Sequence, residues 1–139
     1  METDKFLYKE LSYKLVGCFY NIRNNYGPGQ KESVYHNLLG EELDALGLFY
    51  EKEKSIRIYS SRTKRVIGYY RPDYVVEGKI IIEIKSSRVA TRQDEKQLYH
   101  YLRNSKYEIG YLVNFSTHRI YIKRIIYSNN RKPFLNKSA

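Results

Sequence analysis

The chain is poor in the residues that announce several familiar architectures. It has one cysteine, Cys18, so no internal disulfide can form and no cysteine zinc cluster can be built. That usage matches a reducing compartment, and Cys18 itself reads as a small buried apolar residue. No apolar run approaches the roughly 20 residues of a membrane-spanning helix. The start, Met1-Glu2-Thr3-Asp4-Lys5, lacks the basic and apolar pattern of a secretory signal. The expected location is therefore the cytoplasm. Tryptophan is absent, and acidic residues stop at Glu108. Arg119, Lys123, Arg124, Arg131, Lys132 and Lys137 follow with no acid among them.

What is present describes one domain. A length of 139 residues, 42% of them hydrophobic, is enough for a proper core. No repeat or inter-domain linker interrupts it. The expected division is a single domain over 1–127 and a basic, loose tail over 128–139. The net charge of +10 is concentrated in the C-terminal stretch and in Arg62, Lys64 and Arg65 of a predicted loop. Such one-signed surfaces favour polyanions, nucleic acid above all. Sixteen tyrosines could stack on bases, but most are expected to be half-buried packing residues.

Hydrophobic periodicity gives the elements. Leu11, Leu15, Phe19 and Ile22 recur at helical spacing, and a second helix carries Val34, Leu38, Leu39 and Leu43. A hairpin surrounds the basic loop at Ser61-Arg62-Thr63-Lys64. A second one folds Asp73–Val76 back onto Lys79–Ser86 through Glu77-Gly78-Lys79. A helix over 91–104 and two final strands complete an order read as α-α-β-β-β-α-β-β. The fold class is α/β, a mixed sheet flanked by helices.

Chemistry concentrates in three places. Glu32 follows Gly27-Pro28-Gly29, Asp73 ends Arg71-Pro72-Asp73, and Glu83 and Lys85 bracket Ile84. The strand period of two puts Ile81, Glu83 and Lys85 on one face, in a run too apolar to face solvent. Two acids and a lysine on one face of a buried hairpin suit a divalent metal and a water activated beside it. Gly27-Pro28-Gly29 lacks the Gly-Lys-Ser/Thr ending of a phosphate loop. Its expected job is to turn the chain so that Glu32 enters the site. His36, His100 and His118 have no metal-ligand spacing and are read as bystanders.

The combination of motifs resembles the PD-(D/E)xK nuclease superfamily and, within it, the small GxxExxY proteins. Gly29-Gln30-Lys31-Glu32-Ser33-Val34-Tyr35 matches the name motif at each fixed position. Tyr70-Arg71-Pro72-Asp73 matches the aspartate strand, with Pro72 where a small residue is common. Glu83-Ile84-Lys85 matches the E-x-K motif, Gln97 and Tyr101 the Q-x-x-x-Y helix, and Leu112-Val113-Asn114-Phe115 the late strand. The resemblance runs from about Phe6 to Ile126 and implies a restriction-endonuclease-like core. It also implies that Asp73, Glu83 and the Ile84 carbonyl hold Mg2+ or Mn2+, with Glu32 on that ion's water or on a second ion. Lys85 would position the attacking water or stabilise the transition state, while Gln97 and Tyr101 would hold the scissile strand or brace the metal ligands.

The expected function is metal-dependent hydrolysis of nucleic-acid phosphodiesters, with DNA the expected substrate. Arg62, Lys64, Arg65, Arg119, Lys123 and Arg124 would contact flanking phosphates. A chain with one site cuts both strands of a duplex together only as a homodimer. The competing reading is a nucleic-acid-binding or partner-binding module that keeps the nuclease fold without turnover.

Overall fold

The computed structural model of the chain describes residues 6–136. Helix α1 (Lys9–Tyr26) buries Leu15, Cys18, Phe19 and Ile22, one helical stripe, and α2 (Glu32–Ala45) buries Tyr35, Leu39 and Leu43 at four-residue intervals. Burial pushes the Cys18 thiol up to about 11, so it packs as an apolar group. The strands are β1 (Tyr50–Lys52), β2 (Ile56–Tyr59), β3 (Val66–Tyr70), β4 (Tyr74–Val76), β5 (Ile80–Lys85), β6 (Ile109–Asn114) and β7 (Tyr121–Ile126). Helix α3 (Arg92–Arg103) lies between β5 and β6.

Five strands form one sheet in the order β1-β4-β5-β6-β7. Only β5 and β6 are parallel, and α3 is the crossover that parallel pairing requires. The β2–β3 hairpin is a separate two-stranded sheet. Alternation along β5 separates two cores. Ile80, Ile82 and Ile84 join the core that includes α1 and α2. Ile81 joins Val75, Leu98, Leu102, Leu112, Ile56 and Tyr70, the core under α3 and the β2–β3 hairpin. Glu83 and Lys85 share the Ile81 face. The result is a mixed sheet between helical layers, the restriction-endonuclease-like arrangement expected. Among the described residues no helix is long and apolar enough to cross a membrane.

Two expectations differ from the fold. Five strands, not three, separate α2 from α3. Four of them lie in the two hairpins. The fifth, β1, is a three-residue strand beside β4 that holds Glu51 and Lys52, too short and too charged to show alternation. The stretch after β7 also departs from a loose tail. The buried Lys132 ammonium donates to the Ser105 and Tyr107 carbonyls at 2.8 and 2.7 Å, and Phe134 stacks on Tyr59. These contacts anchor 128–136; residues 137–139 lie outside the described part.

One glycine sets how closely α2 approaches the sheet. The Tyr74 hydroxyl of β4 donates to the His36 carbonyl at 2.6 Å. A Cβ at Gly40 would meet that hydroxyl oxygen at 2.9 Å. Alanine should gain about 1 kcal/mol of helix propensity there, while forced overpacking costs roughly 1–3 kcal/mol. Gly40→Ala is therefore expected to lower the melting temperature. In a Tyr74→Phe background, where the obstructing oxygen is gone, the same change should be neutral or stabilising. Urea denaturation of the four-member cycle checks this. Additive effects would show that the hydroxyl is not the obstacle.

Candidate active site

The site lies at the C-terminal ends of the parallel strands β5 and β6, where open α/β sheets place their ligand crevices. The turn before α2 is fastened to that end. Gly29, at φ +92°, donates its N–H to the Ser116 hydroxyl at 2.9 Å, and the Ser86 hydroxyl donates to the Gln30 carbonyl at 2.6 Å. From inside, the Tyr35 hydroxyl donates to the Gly27 carbonyl at 2.6 Å and accepts from the Gln30 N–H at 3.1 Å. Its ring stacks on Phe115, with centroids 4.6 Å apart. The fixed glycine and tyrosine of the motif thus hold the turn, and α2 begins over the strand ends with Glu32. Glu32 is exposed at the rim, where it lines a cavity of about 360 Å³ with His36, Lys52 and Glu53.

Asp73 is placed by the end of a strand ladder. Tyr74 pairs with Ile82, so two residues further on Pro72 would face Ile84. Proline has no N–H to donate to a ladder, and pairing stops there. The Asp73 carboxylate accepts the Ile84 N–H instead, at 2.6 Å. In a strand the N–H and C=O of one residue share an edge, so the Ile84 carbonyl also faces the Asp73 side. His36 Nε2 lies 3.4 Å from the same Asp73 oxygen. That carboxylate raises the imidazole pKa above its ordinary value, against the opposing effect of burial.

Glu83 is held from the other side. The Tyr70 hydroxyl donates to its carboxylate. The Tyr70 ring stacks on Tyr101 of α3, with centroids 3.7 Å apart and planes within 12°. Burial pushes the Glu83 carboxyl up to about 7. Lys85 opposes that rise, Glu32 adds to it, His36 opposes it and Asp94 adds to it. Lys85 faces Asp94 at 4.0 Å. The first turn of α3 holds Asp94 near it, with the Asp94 N–H donating to the Thr91 hydroxyl at 3.2 Å.

The structure therefore brings Asp73, Glu83, the Ile84 backbone and Lys85 together, with Glu32 at the edge. Tyr101 reaches the site through Tyr70, and Gln97 is exposed on α3. His36 belongs to the site, contrary to its reading as a bystander; His100 and His118 are exposed. Its signal was the four-residue step from Glu32, which shares a helix face. Tyr70 had no local signal, being 13 residues from Glu83 in the chain. Asp94 could have been found as the acid at the third position after the Thr91 cap.

The basic residues separate. The Arg62, Lys64 and Arg65 turn lies beyond Tyr59, whose N–H meets Asn104 at the C-terminal end of α3. That is roughly 15 Å along the helix from Asp94. Lys64 donates to the Asn136 carbonyl at 2.9 Å. Arg119 is exposed near the start of β7, at the site end, because Tyr121 pairs with Asn114. Lys123 and Arg124 alternate across β7. The Arg124 guanidinium lies over the Phe6 ring and donates to the Leu7 carbonyl at 3.0 Å, so packing explains that residue.

Among the described residues, no three side chains of His, Cys, Asp and Glu converge closely enough to hold a metal ion. The expected trio of Glu32, Asp73 and Glu83 is therefore not a three-acid cage. Magnesium needs less: it binds through one or two carboxylates and keeps several waters. Asp73 and Glu83 each engage one oxygen with a protein donor and leave the other, and the Ile84 carbonyl adds a hard oxygen. The donor chemistry fits.

Comparisons with known proteins bear on the fold and the family. A search of curated proteins returns no match. A solved structure titled "Crystal structure of SSO0001" is similar at 26% identity with a TM-score of 0.52, covering 75% of this chain. The similarity covers 54% of that protein, so the chain spans about half its length. Residues 9–125 match the PD-(D/E)XK nuclease superfamily. With the aspartate strand and the E-x-K strand inside that span, and the mixed sheet too but for its last residue, the chain belongs to the PD-(D/E)XK nuclease superfamily.

Proposed function

We propose that the protein is a Mg2+- or Mn2+-dependent nuclease of the GxxExxY type, acting on DNA by water attack on a backbone phosphodiester. The observation that carries this reading is the placement of Asp73 against the Ile84 backbone beside Glu83, with Lys85 two residues further along the same face. Asp73, Glu83 and the Ile84 carbonyl would hold the ion, and Glu32 would act through its water or at a second ion. A divalent ion bound there would supply Lewis-acid polarisation and a more acidic water.

The chain's own residues supply the rest. The Lys85 ammonium stabilises negative charge growing on the phosphoryl oxygens. Asp94, 4.0 Å away, keeps that ammonium directed into the site. Tyr70, backed by Tyr101, orients Glu83. His36 steadies the Asp73 carboxylate. Arg119 at the site end would contact a flanking phosphate. Pairing of two copies would let one site serve each strand of a duplex.

Activity tests this directly. Purified protein should cleave DNA with magnesium or manganese and stop with EDTA. Asp73→Ala, Glu83→Ala and Lys85→Ala should each lose at least a hundredfold while keeping wild-type circular dichroism. No cleavage of DNA or RNA with either metal would leave the binding-module reading in its place.

The raised Glu83 pKa gives a second test without substrate. Its folded value of about 7 exceeds the ordinary 4.5. Between those values the folded state binds more protons than the unfolded one, so stability falls as pH rises through this window. The penalty is complete above pH 7, with a ceiling of about 3 kcal/mol at 1.36 kcal/mol per pKa unit. Metal-free Glu83→Gln should then melt above wild type at pH 8, and the two should converge near pH 4.5. Divalent metal at a hundred times its dissociation constant should stabilise wild type by about 2.7 kcal/mol and the variant far less. A variant less stable at pH 8, in a protein indifferent to metal, would make Glu83 an ordinary ion-pair partner of Lys85.

A further inference from the structure

A second concave site lies at the other end of the sheet, away from the carboxylates. Lys79 directly precedes β5 and Glu108 directly precedes β6, so both lie roughly 20 Å, the length of β5, from Lys85. Between them and β2 is a cavity of about 560 Å³, within the range of small-ligand pockets. Arg57, Lys79 and Lys106 line it together with Tyr8, Tyr59 and Glu108. Two further charges line it: the Lys54 ammonium, paired with Glu51 at 3.2 Å, and the Glu108 carboxylate, which accepts the Asn129 N–H at 2.7 Å and keeps its negative charge. Among the described residues no carboxylate lies within 4.0 Å of Arg57, Lys79 or Lys106.

Aromatic faces, not acids, organise two of these cations. The Lys79 ammonium is 5.5 Å from the Tyr8 ring centroid, and the Lys106 ammonium is 5.8 Å from that of Tyr59. Cation–π contacts of this length place a charge without neutralising it. The cavity therefore offers three unpaired positive charges beside tyrosine rings, in a volume too small for a duplex. We propose that it binds a nucleotide unit, with the phosphate on Lys79, Lys106 and Arg57 and the base against the Tyr8 ring, since Phe134 and Lys106 already cover Tyr59, whether the unit is free or part of a single strand. Single-strand sites combine cations with aromatic platforms in this way. An acidic peptide would meet the cations and leave the rings unused. The inference rests on the nucleic-acid reading for the ligand's identity, but it needs neither metal nor cleavage.

The test is fluorescence anisotropy in EDTA with a labelled thymidine hexanucleotide, competed with thymidine monophosphate and with a hexaglutamate peptide. Lys79→Gln/Lys106→Gln should weaken hexanucleotide binding at least tenfold with an unchanged melting temperature, and Arg57→Gln should weaken it severalfold. Lys14→Gln, at an exposed charge of α1 outside the cavity, should bind as wild type does. Competition by the monophosphate identifies a free-nucleotide site, and its absence identifies a strand site; both support the proposal. Absent binding by wild type, unchanged affinity in the charge variants, or equal competition by hexaglutamate overturns it. Loss of binding here with cleavage intact separates this inference from the nuclease reading. Intact binding without any cleavage separates them the other way.

Discussion

One hydrogen bond decides the geometry of the candidate site. Ladder pairing between β4 and β5 ends where Pro72 would face Ile84, and the Asp73 carboxylate accepts the N–H that the ladder leaves. An unpaired N–H in a buried strand costs on the order of 1–3 kcal/mol, so the fold itself requires an acceptor there. The same bond fixes a carboxylate beside the Ile84 backbone, one residue from Glu83 and from Lys85. Structure and chemistry are therefore served by one contact. The notch opened at the strand ends is where the turn before α2 brings Glu32 and His36.

Each group around the notch is held by a partner from another element. His36 of α2 meets Asp73, Tyr70 of β3 meets Glu83, and Asp94 of α3 faces Lys85. The layers thus converge on β5. That convergence desolvates Glu83, whose raised pKa is the electrostatic consequence. A charged acid in such a place is a cost to the folded chain unless a counter-charge arrives, and a divalent cation is one that fits oxygen donors. This is the physical link between the buried strand and the proposed activity.

The sequence displayed the strand logic more clearly than the contacts across it. Alternation in Ile80–Lys85 fixed which residues share a face, and the Glu77-Gly78 turn fixed which strand returns. Helical stripes in α1 and α2 were equally legible. Strand β1 was hidden because three residues show no period. The Lys132 and Phe134 anchors were hidden because a polar stretch gives no sign of the carbonyls waiting at Ser105 and Tyr107. Arg124 looked like part of a basic surface but packs over Phe6. Tyr70 lies 13 residues from Glu83 in the chain, beyond the reach of any local pattern, and His36, 37 residues from Asp73, was marked only by its step from Glu32.

The central claim is that Asp73 and Glu83 hold one divalent ion. The most direct measurement is the anomalous scattering of manganese in crystals grown with a short DNA oligonucleotide. The account predicts a peak about 2 Å from one oxygen of Asp73, one of Glu83 and the Ile84 carbonyl, with a phosphate oxygen of the DNA opposite. DNA bound at the strand ends with no peak between the two carboxylates, and with both the His36–Asp73 and Tyr70–Glu83 contacts unchanged, would contradict it.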